Sequence, residues 1–393
     1  MTPARALPGA IWALGFVSLL MDVSSEMIHS LLPVFLYSAL GVGTAVIGMI
    51  EGAAEATALI VKVFSGVVSD YWGRRKPAAL AGYALGALSK PLFALATGPG
   101  MVVAARLIDR VGKGIRGAPR DALVADLAPP GLRGAAFGLR QALDTLGAFL
   151  GPLLAMALML AWSNDFRAVF RVAVIPGVCA ALLLAVAVRE PAHPAGRERV
   201  QPLRRAALRA LSAGYWRVVA LGAVFTLARF SEAFLVLRAR DGGLPIAYAP
   251  LVLIGMNVVY AAAAYPCGKL ADRVSHTRLL VAGIAVLVLA DAALAYGDRW
   301  YFVAPGIALW GLHLAMTQGL LATMVAATAP PALRGTAFGL FNLVRGIAML
   351  VGSTGAGLLW ERYGASATFL AGGAFAAGAL VLTIIRRPSR VAS

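Results

Sequence analysis

The sequence predicts an all-α polytopic membrane protein, with twelve transmembrane helices in two pseudo-symmetric six-helix bundles. Composition is the first ground. Of 393 residues, 60% are hydrophobic and only 13% are charged, and the mean hydropathy is +0.80. A soluble domain is roughly half apolar and about a quarter charged. Spacing is the second ground. Low-charge stretches recur from Ile11 to Ile385, divided by short clusters of Arg, Lys, Pro and Gly. A hydrocarbon core of ~30 Å takes ~20 apolar residues per helix, so twelve helices with short loops need roughly 250–300 residues. The third ground is an internal repeat. Pro129-Pro130-Gly131-Leu132-Arg133-Gly134, continuing to Phe137-Gly138-Leu139, returns 201 residues later as Pro330-Pro331-Ala332-Leu333-Arg334-Gly335 and Phe338-Gly339-Leu340. Gly66-Val67-Val68-Ser69-Asp70 returns as Gly268-Lys269-Leu270-Ala271-Asp272 after 202 residues, and Ser25-Glu26 as Ser231-Glu232 after 206. Matches held near one offset mark two copies of one unit. A soluble enzyme, a disordered chain and a single-anchor receptor are excluded.

Taken in order, the first half carries spans at about 10–38, 45–69, 77–97, 100–126, 134–161 and 166–188. The second carries spans at about 216–237, 247–270, 278–297, 301–327, 335–359 and 365–385. Residues of about 189–215 are basic, polar and proline-containing, which marks a cytoplasmic linker between domains 1–188 and 216–393. Arg74, Arg75, Lys76, Arg133, Arg273, Arg278 and Arg334 fall in alternate loops, and Arg386, Arg387 and Arg390 in the tail. The opposite loops hold no charge near Gly41 and Gly98, while Arg240, Arg299 and Arg362 each adjoin an acid. The positive-inside rule therefore places both termini in the cytoplasm of a cell membrane, inner or plasma. Asp22 and Glu26 interrupt the first apolar run and no small-residue cleavage site follows, so that run reads as a retained helix.

Gly66-Val67-Val68-Ser69-Asp70-Tyr71-Trp72-Gly73-Arg74-Arg75-Lys76 resembles the hallmark loop of the major facilitator superfamily, which joins helices 2 and 3, where this one falls. With the repeat and the linker, the resemblance extends over essentially the whole chain. It implies alternating access around a cavity lined by helices 1, 4, 7 and 10, with Gly66, Asp70, Gly73, Arg74 and Arg75 as a cytoplasmic latch. Asp272 and Arg273 are the second copy of that latch, which departs from the pattern at Ser275-His276 and is expected to be weaker. In span 5, Gly147-Ala148-Phe149-Leu150-Gly151-Pro152 is similar to the Gly-x-x-x-Gly-Pro element of the family's proton-linked antiporters. Leu153-Leu154-Ala155 stand where further glycines usually follow, and an ordinary packing face accounts for the same residues. Arg110-Val111-Gly112-Lys113-Gly114 resembles the family's helix 4 arginine motif only loosely.

Ionisable groups within spans are costly, and so point to function. Asp22, Glu26, His29 and Pro33 lie at helical spacing on one stripe of span 1, with Ser25 beside them. Two carboxylates one turn apart cannot both ionise cheaply in a dry cavity, which makes Glu26 and Asp22, with Glu55 of span 2, the candidates for proton coupling. Glu51, Glu55 and Lys62 share a face of span 2. Span 4 holds Arg106, Asp109, Arg110 and Lys113, and span 5 an i,i+4 pair, Arg140–Asp144, that reads as self-satisfied. Arg116 and Arg120 read as snorkelling side chains. The second half is poorer in charge, with Arg229 and Glu232 in span 7, His313 in span 10 and Arg345 in span 11. His29, Arg110, Arg229, Glu232 and His313 are the candidate cavity residues.

The net charge of +17 needs no nucleic acid, because membrane proteins collect Lys and Arg in cytoplasmic loops. Cys179 and Cys267 sit in apolar stretches and give neither disulfide nor metal spacing. Met21, Met27 and His29, with His313, Met316 and Met324, could supply soft ligands, but methionine is also a common filler. No Walker loop or catalytic constellation appears. The expectation is a non-enzymatic, monomeric secondary transporter in a lipid bilayer, carrying a small-molecule substrate with no cofactor beyond the proton as coupling ion. Proton-coupled export by antiport leads. Proton-driven uptake, for example of a siderophore or metal chelate, and a non-transporting sensor or assembly factor are the alternatives.

Overall fold

The computed structural model describes residues 7–72, 74–129, 131–189, 211–330 and 333–385. Among the described residues twelve helical segments succeed one another. The first six are α1 (Gly9–Ala39), α2 (Thr44–Trp72), α3 (Arg75–Ala94), α4 (Pro99–Leu127), α5 (Arg133–Ala161) and α6 (Phe166–Ala187). The second six are α7 (Ala213–Asp241), α8 (Pro250–Arg273), α9 (His276–Tyr296), α10 (Trp300–Thr328), α11 (Arg334–Tyr363) and α12 (Ala365–Ile385). Each falls on one of the twelve expected spans to within about a turn at either end. Among the described residues eight helices are long and apolar enough to cross a membrane by composition; α3 and α4, which carry buried charge, are not among them. The connections are tight. Gly364 alone joins α11 to α12, at φ 85, a conformation that suits a residue without a Cβ. The linker expected over 189–215 lies almost wholly outside the described residues.

The chain forms two compact units: Met1–Phe35 with Thr57–Pro202, and Leu36–Ala56 with Leu203–Ser393. Their internal packing repeats as the sequence does. In the first, α1 packs on α5 and α6, and α3 on α4 and α6; in the second, α7 packs on α11 and α12, and α9 on α10 and α12. Lipid chains are as apolar as leucine, so close contact rather than water exclusion holds such helices together. Glycine supplies it at α3–α4, where a Cβ at Gly82 would lie 2.7 Å from the Gly112 carbonyl oxygen, and one at Gly112 equally close to that of Gly82. The apolar stripe Ile11, Leu14, Val17 and Met21 of α1 meets Ala79 and Tyr83 of α3 and Leu184 of α6 in a fully buried cluster. Met21 is thus a packing residue. In the second unit the start of α2 runs along α11: Thr44 Oγ1 donates to the Gly357 carbonyl (3.1 Å), and Glu361 Oε2 accepts from the Ala45 amide (3.1 Å).

Two helices are broken, and both breaks flank candidate residues. The regular helix of α1 ends at His29; Leu32–Val34 resumes it and a π turn follows over Phe35–Ala39. Pro33 lacks the N–H that would bond to the turn below, so the stripe of the first span stops one turn earlier than its sequence spacing implies. Asp22, Glu26 and His29 remain on one helix. α7 breaks between Ala228 and Ala233, where Arg229 takes φ −109, ψ 79 and the Ser353 hydroxyl accepts from the Ser231 amide at 3.1 Å. The Ser-Glu pair that is helical at Ser25-Glu26 therefore forms a break at Ser231-Glu232.

Candidate functional site

In the first unit the acidic stripe of α1 lies directly on the small residues of α5. A Cβ at Gly147 would lie 2.6 Å from the Leu19 carbonyl oxygen and 3.0 Å from Asp22 Cβ. One at Gly151 would lie 2.8 Å from both Glu26 Cβ and the Val23 carbonyl oxygen. The two glycines thus open the space in which the two carboxylates stand, and buried Pro152 follows within the helix. Glu26 Oε2 lies 3.4 Å from His29 Nδ1, within electrostatic reach of Lys113 and Arg110. Asp22 lies nearer Asp144, Arg116, Lys113 and Arg120.

Around them α3, α4 and α5 build a buried polar network. Lys90 Nζ donates to Asp109 Oδ1 (2.6 Å) and to Ser25 Oγ (3.0 Å), tying α3 and α4 to the residue next to Glu26. Arg110 Nε stands 3.9 Å from the other Asp109 oxygen. Arg140–Asp144, at 3.3 Å, is not self-contained: Arg120 of α4 approaches Asp144 at 3.6 Å, and Arg140 approaches Asp121 at 3.8 Å. Nor do Arg116 and Arg120 snorkel. Arg116 is buried over the Tyr83 ring, 5.2 Å from its centroid, and Arg120 donates to Ser18 Oγ at 3.2 Å. Five acids and seven bases share this region, and Asp109 is offset by Lys90, Arg110 and Arg116 together instead of by one cation.

The second unit holds a smaller set. Arg229 at the α7 break lies in electrostatic reach of Glu232, Glu55 and the Tyr260 hydroxyl, and Arg345 of Arg229 and Glu55. Within the second unit, Glu55 thus stands with Arg229 and Arg345. Along α2, Glu51 is buried, Glu55 half-buried and Lys62 exposed. His313 is fully buried, its Nδ1–H donating to the Gly283 carbonyl (2.8 Å) and its ring stacked on Phe225.

The twelve helices, the repeated packing and the buried charge are those of a transporter fold, and comparison with known proteins names it. The Major Facilitator Superfamily model matches residues 14–256 and 230–393. The chain belongs to the major facilitator superfamily. It is 32% identical over 388 residues to an uncharacterized MFS-type transporter of Methanocaldococcus jannaschii, covering 97% of this chain and 96% of that one. It is 25% identical over 355 residues to the multidrug resistance protein MdtH of Proteus mirabilis, covering 88% and 85%. Among solved structures, the nucleoside transporter NupG matches with a TM-score of 0.79 at 14% identity, over 96% of this chain and 99% of that one. A POT family transporter in complex with 5-aminolevulinic acid matches at 0.81 and 14%, over 97% and 96%. At such identities these two structures speak for the fold alone.

The residues expected to form a cytoplasmic latch fall partly outside the described ones. Gly73, the surroundings of Gly66, and the side chains of Asp70, Asp272 and Arg273 lie outside the described residues. Arg74 is exposed between α2 and α3, and Arg75 pairs with Asp126 of α4 at 2.8 Å. Three groups escaped the sequence reading. Lys90 and Asp291 are single charges in apolar runs, ALSKPLFAL and VLVLADAAL, and the cost of an intramembrane charge would have found both. Arg238 gives no such signal: it caps the C-terminal end of α9, donating to the carbonyls of Leu294 (2.7 Å), Ala295 and Gly297 (2.6 Å).

Proposed function

We propose that this transporter exports small organic molecules in exchange for protons, with Glu26 and Asp22 as the coupling pair and both termini in the cytoplasm. The observation that carries the reading is the seating of these two carboxylates on Gly147 and Gly151, which brings the acidic stripe and the antiporter-like element together. A carboxylate pair beside Lys113, Arg110 and Arg116 can exchange a proton for a changed set of cation contacts as the helices move. Export is supported by the multidrug resistance name of the MdtH relatives, and the inward termini by the basic loops.

The test is flux of fluorescent organic ions of both charge signs into everted vesicles under an imposed pH gradient. Glu26→Gln keeps shape and hydrogen bonding but removes the titration, so gradient-driven flux should vanish while expression and substrate binding persist. Asp22→Asn does the same only if the roles within the pair are reversed. Wild-type flux in the Asp22→Asn/Glu26→Gln double variant eliminates α1 as the coupling site.

A further inference from the structure

Asp291 takes no part in either polar set. It lies in the last third of α9, is 0% exposed, and neither carboxyl oxygen has a hydrogen-bond partner among the described residues. Among the described residues no counter-charge on the elements packed against it is left for Asp291: Arg238 of α7, the cation nearest along α9, directs its guanidinium to the Leu294, Ala295 and Gly297 carbonyls and to Asp241. α12 contains no ionisable side chain. α10 brings Tyr301, half-exposed at its far end, and His313, which bonds Gly283 two turns away on α9. Tyr260 and Lys269 of the adjoining α8 contribute no interaction with it, and nor do Arg229 and Glu232 at the α7 break, which face each other. A carboxylate so placed requires a small cation, or it is not a carboxylate.

What faces it is the break in α7. The position a Cβ would take at Gly372 of α12 lies 3.1 Å from Asp291 Oδ2, 3.3 Å from the Ala228 carbonyl oxygen and 3.0 Å from the Phe230 ring. Gly373 keeps the next position open, 3.4 Å from Asp291 Cβ. The buried carboxyl and the last carbonyl before the break therefore border one small gap that two glycines leave. In an unbroken α7 the Ala228 carbonyl would accept from the Glu232 amide; here no backbone bond to it forms among the described residues. On the far side, Phe230 packs against Trp310 and Phe369, which shields the gap.

We propose that Asp291 is a proton-binding site whose O–H donates to the Ala228 carbonyl, so that a proton bound on α9 holds α7 in its broken form. When the helices part and water enters the gap, the proton passes to that water, which also solvates the anion; the carbonyl loses its donor, and the chain from Arg229 to Glu232 is free to wind back into helix. The site is separate from the α1 carboxylates and does not depend on their assignment.

Hydrogen–deuterium exchange of the full-length protein in nanodiscs tests this, read on peptides spanning Phe225–Val236 at about pH 6 and about pH 9 after correction for intrinsic rates. The wild type should change exchange at the break by about tenfold between the two conditions. Asp291→Asn, whose amide donates permanently, should stay at the acid-side pattern in both. Asp291→Leu, which cannot donate, should stay at the alkaline-side pattern; if it does not fold, Asp291→Asn against wild type suffices. The Asp22→Asn/Glu26→Gln double variant should respond like wild type. The idea fails if the wild-type pattern does not move, if Asp291→Asn still responds, or if the double variant has lost the response. It also fails if sodium at fixed pH reproduces the change, for the site would then take a metal cation.

Discussion

Gly151→Ala should open the contact between α1 and α5 and uncouple transport, whereas Gly138→Ala on the same helix should do neither. The new methyl at 151 would meet Glu26 Cβ and the Val23 carbonyl oxygen, both at 2.8 Å, and the Met27 amide nitrogen at 3.2 Å. Two of those three atoms are backbone, so no rotamer change relieves the clash and α1 must move as a body. Overpacking of this kind costs roughly 1–3 kcal/mol. Replacing glycine by alanine within a helix returns about 1 kcal/mol, so the net loss is at most ~2 kcal/mol. Gly138 has nothing within 4 Å of its Cβ position, and its substitution should gain up to about 1 kcal/mol. Thermal unfolding in detergent, followed by tryptophan fluorescence, should therefore move in opposite directions for the two variants. Gradient-driven flux should fall only in Gly151→Ala, where the displaced turn carries Glu26. Equal stability and equal flux would refute the claim that the glycines exist to seat the acidic stripe.

Three further outcomes follow from the polar contacts. Lys90→Met removes the 2.6 Å donor to Asp109, leaving it Arg110 and Arg116, and should destabilise by roughly 1.5–3 kcal/mol, while Lys90→Met/Asp109→Leu recovers part of the loss; a double variant no more stable than the single, by thermal unfolding, overturns the pairing. Arg238→Met removes the donors to three carbonyls at the end of α9 and should cost roughly 2–3 kcal/mol in the same assay, with binding affinity unchanged. Asp126→Asn weakens the 2.8 Å pair with Arg75 by roughly 1.5–3 kcal/mol. It should shift alkylation of a reporter cysteine at exposed Arg74, in a background with Cys179 and Cys267 replaced by alanine; an unchanged rate removes Arg75 from the latch.

Much of this protein is decided along the chain itself. Apolar runs of bilayer length fix where the twelve helices lie, because each must satisfy its own backbone in lipid. The repeated Pro-Leu-Arg-Gly and Gly-to-Asp segments foretell that α1 on α5 will be echoed by α7 on α11. Asp22, Glu26 and His29 share a face because helical geometry is local, and Gly147 and Gly151 announce a close contact because only small residues allow one. What they contact is not local. That Gly151 receives Glu26, that Arg140 shares Asp144 with Arg120, and that Glu55 joins Arg229 depend on which helix is the neighbour. The sequence-level expectations for Arg116 and Arg120 failed for the same reason: a long cationic side chain can reach the interface or turn onto Tyr83 and Ser18, and only packing selects between them. Asp291 shows the limit from the other side. Its letter in an apolar run marks a cost, but that it faces the α7 break across two glycines emerges only when α7, α9 and α12 are brought together, since charge is written at one position and its environment is made by three.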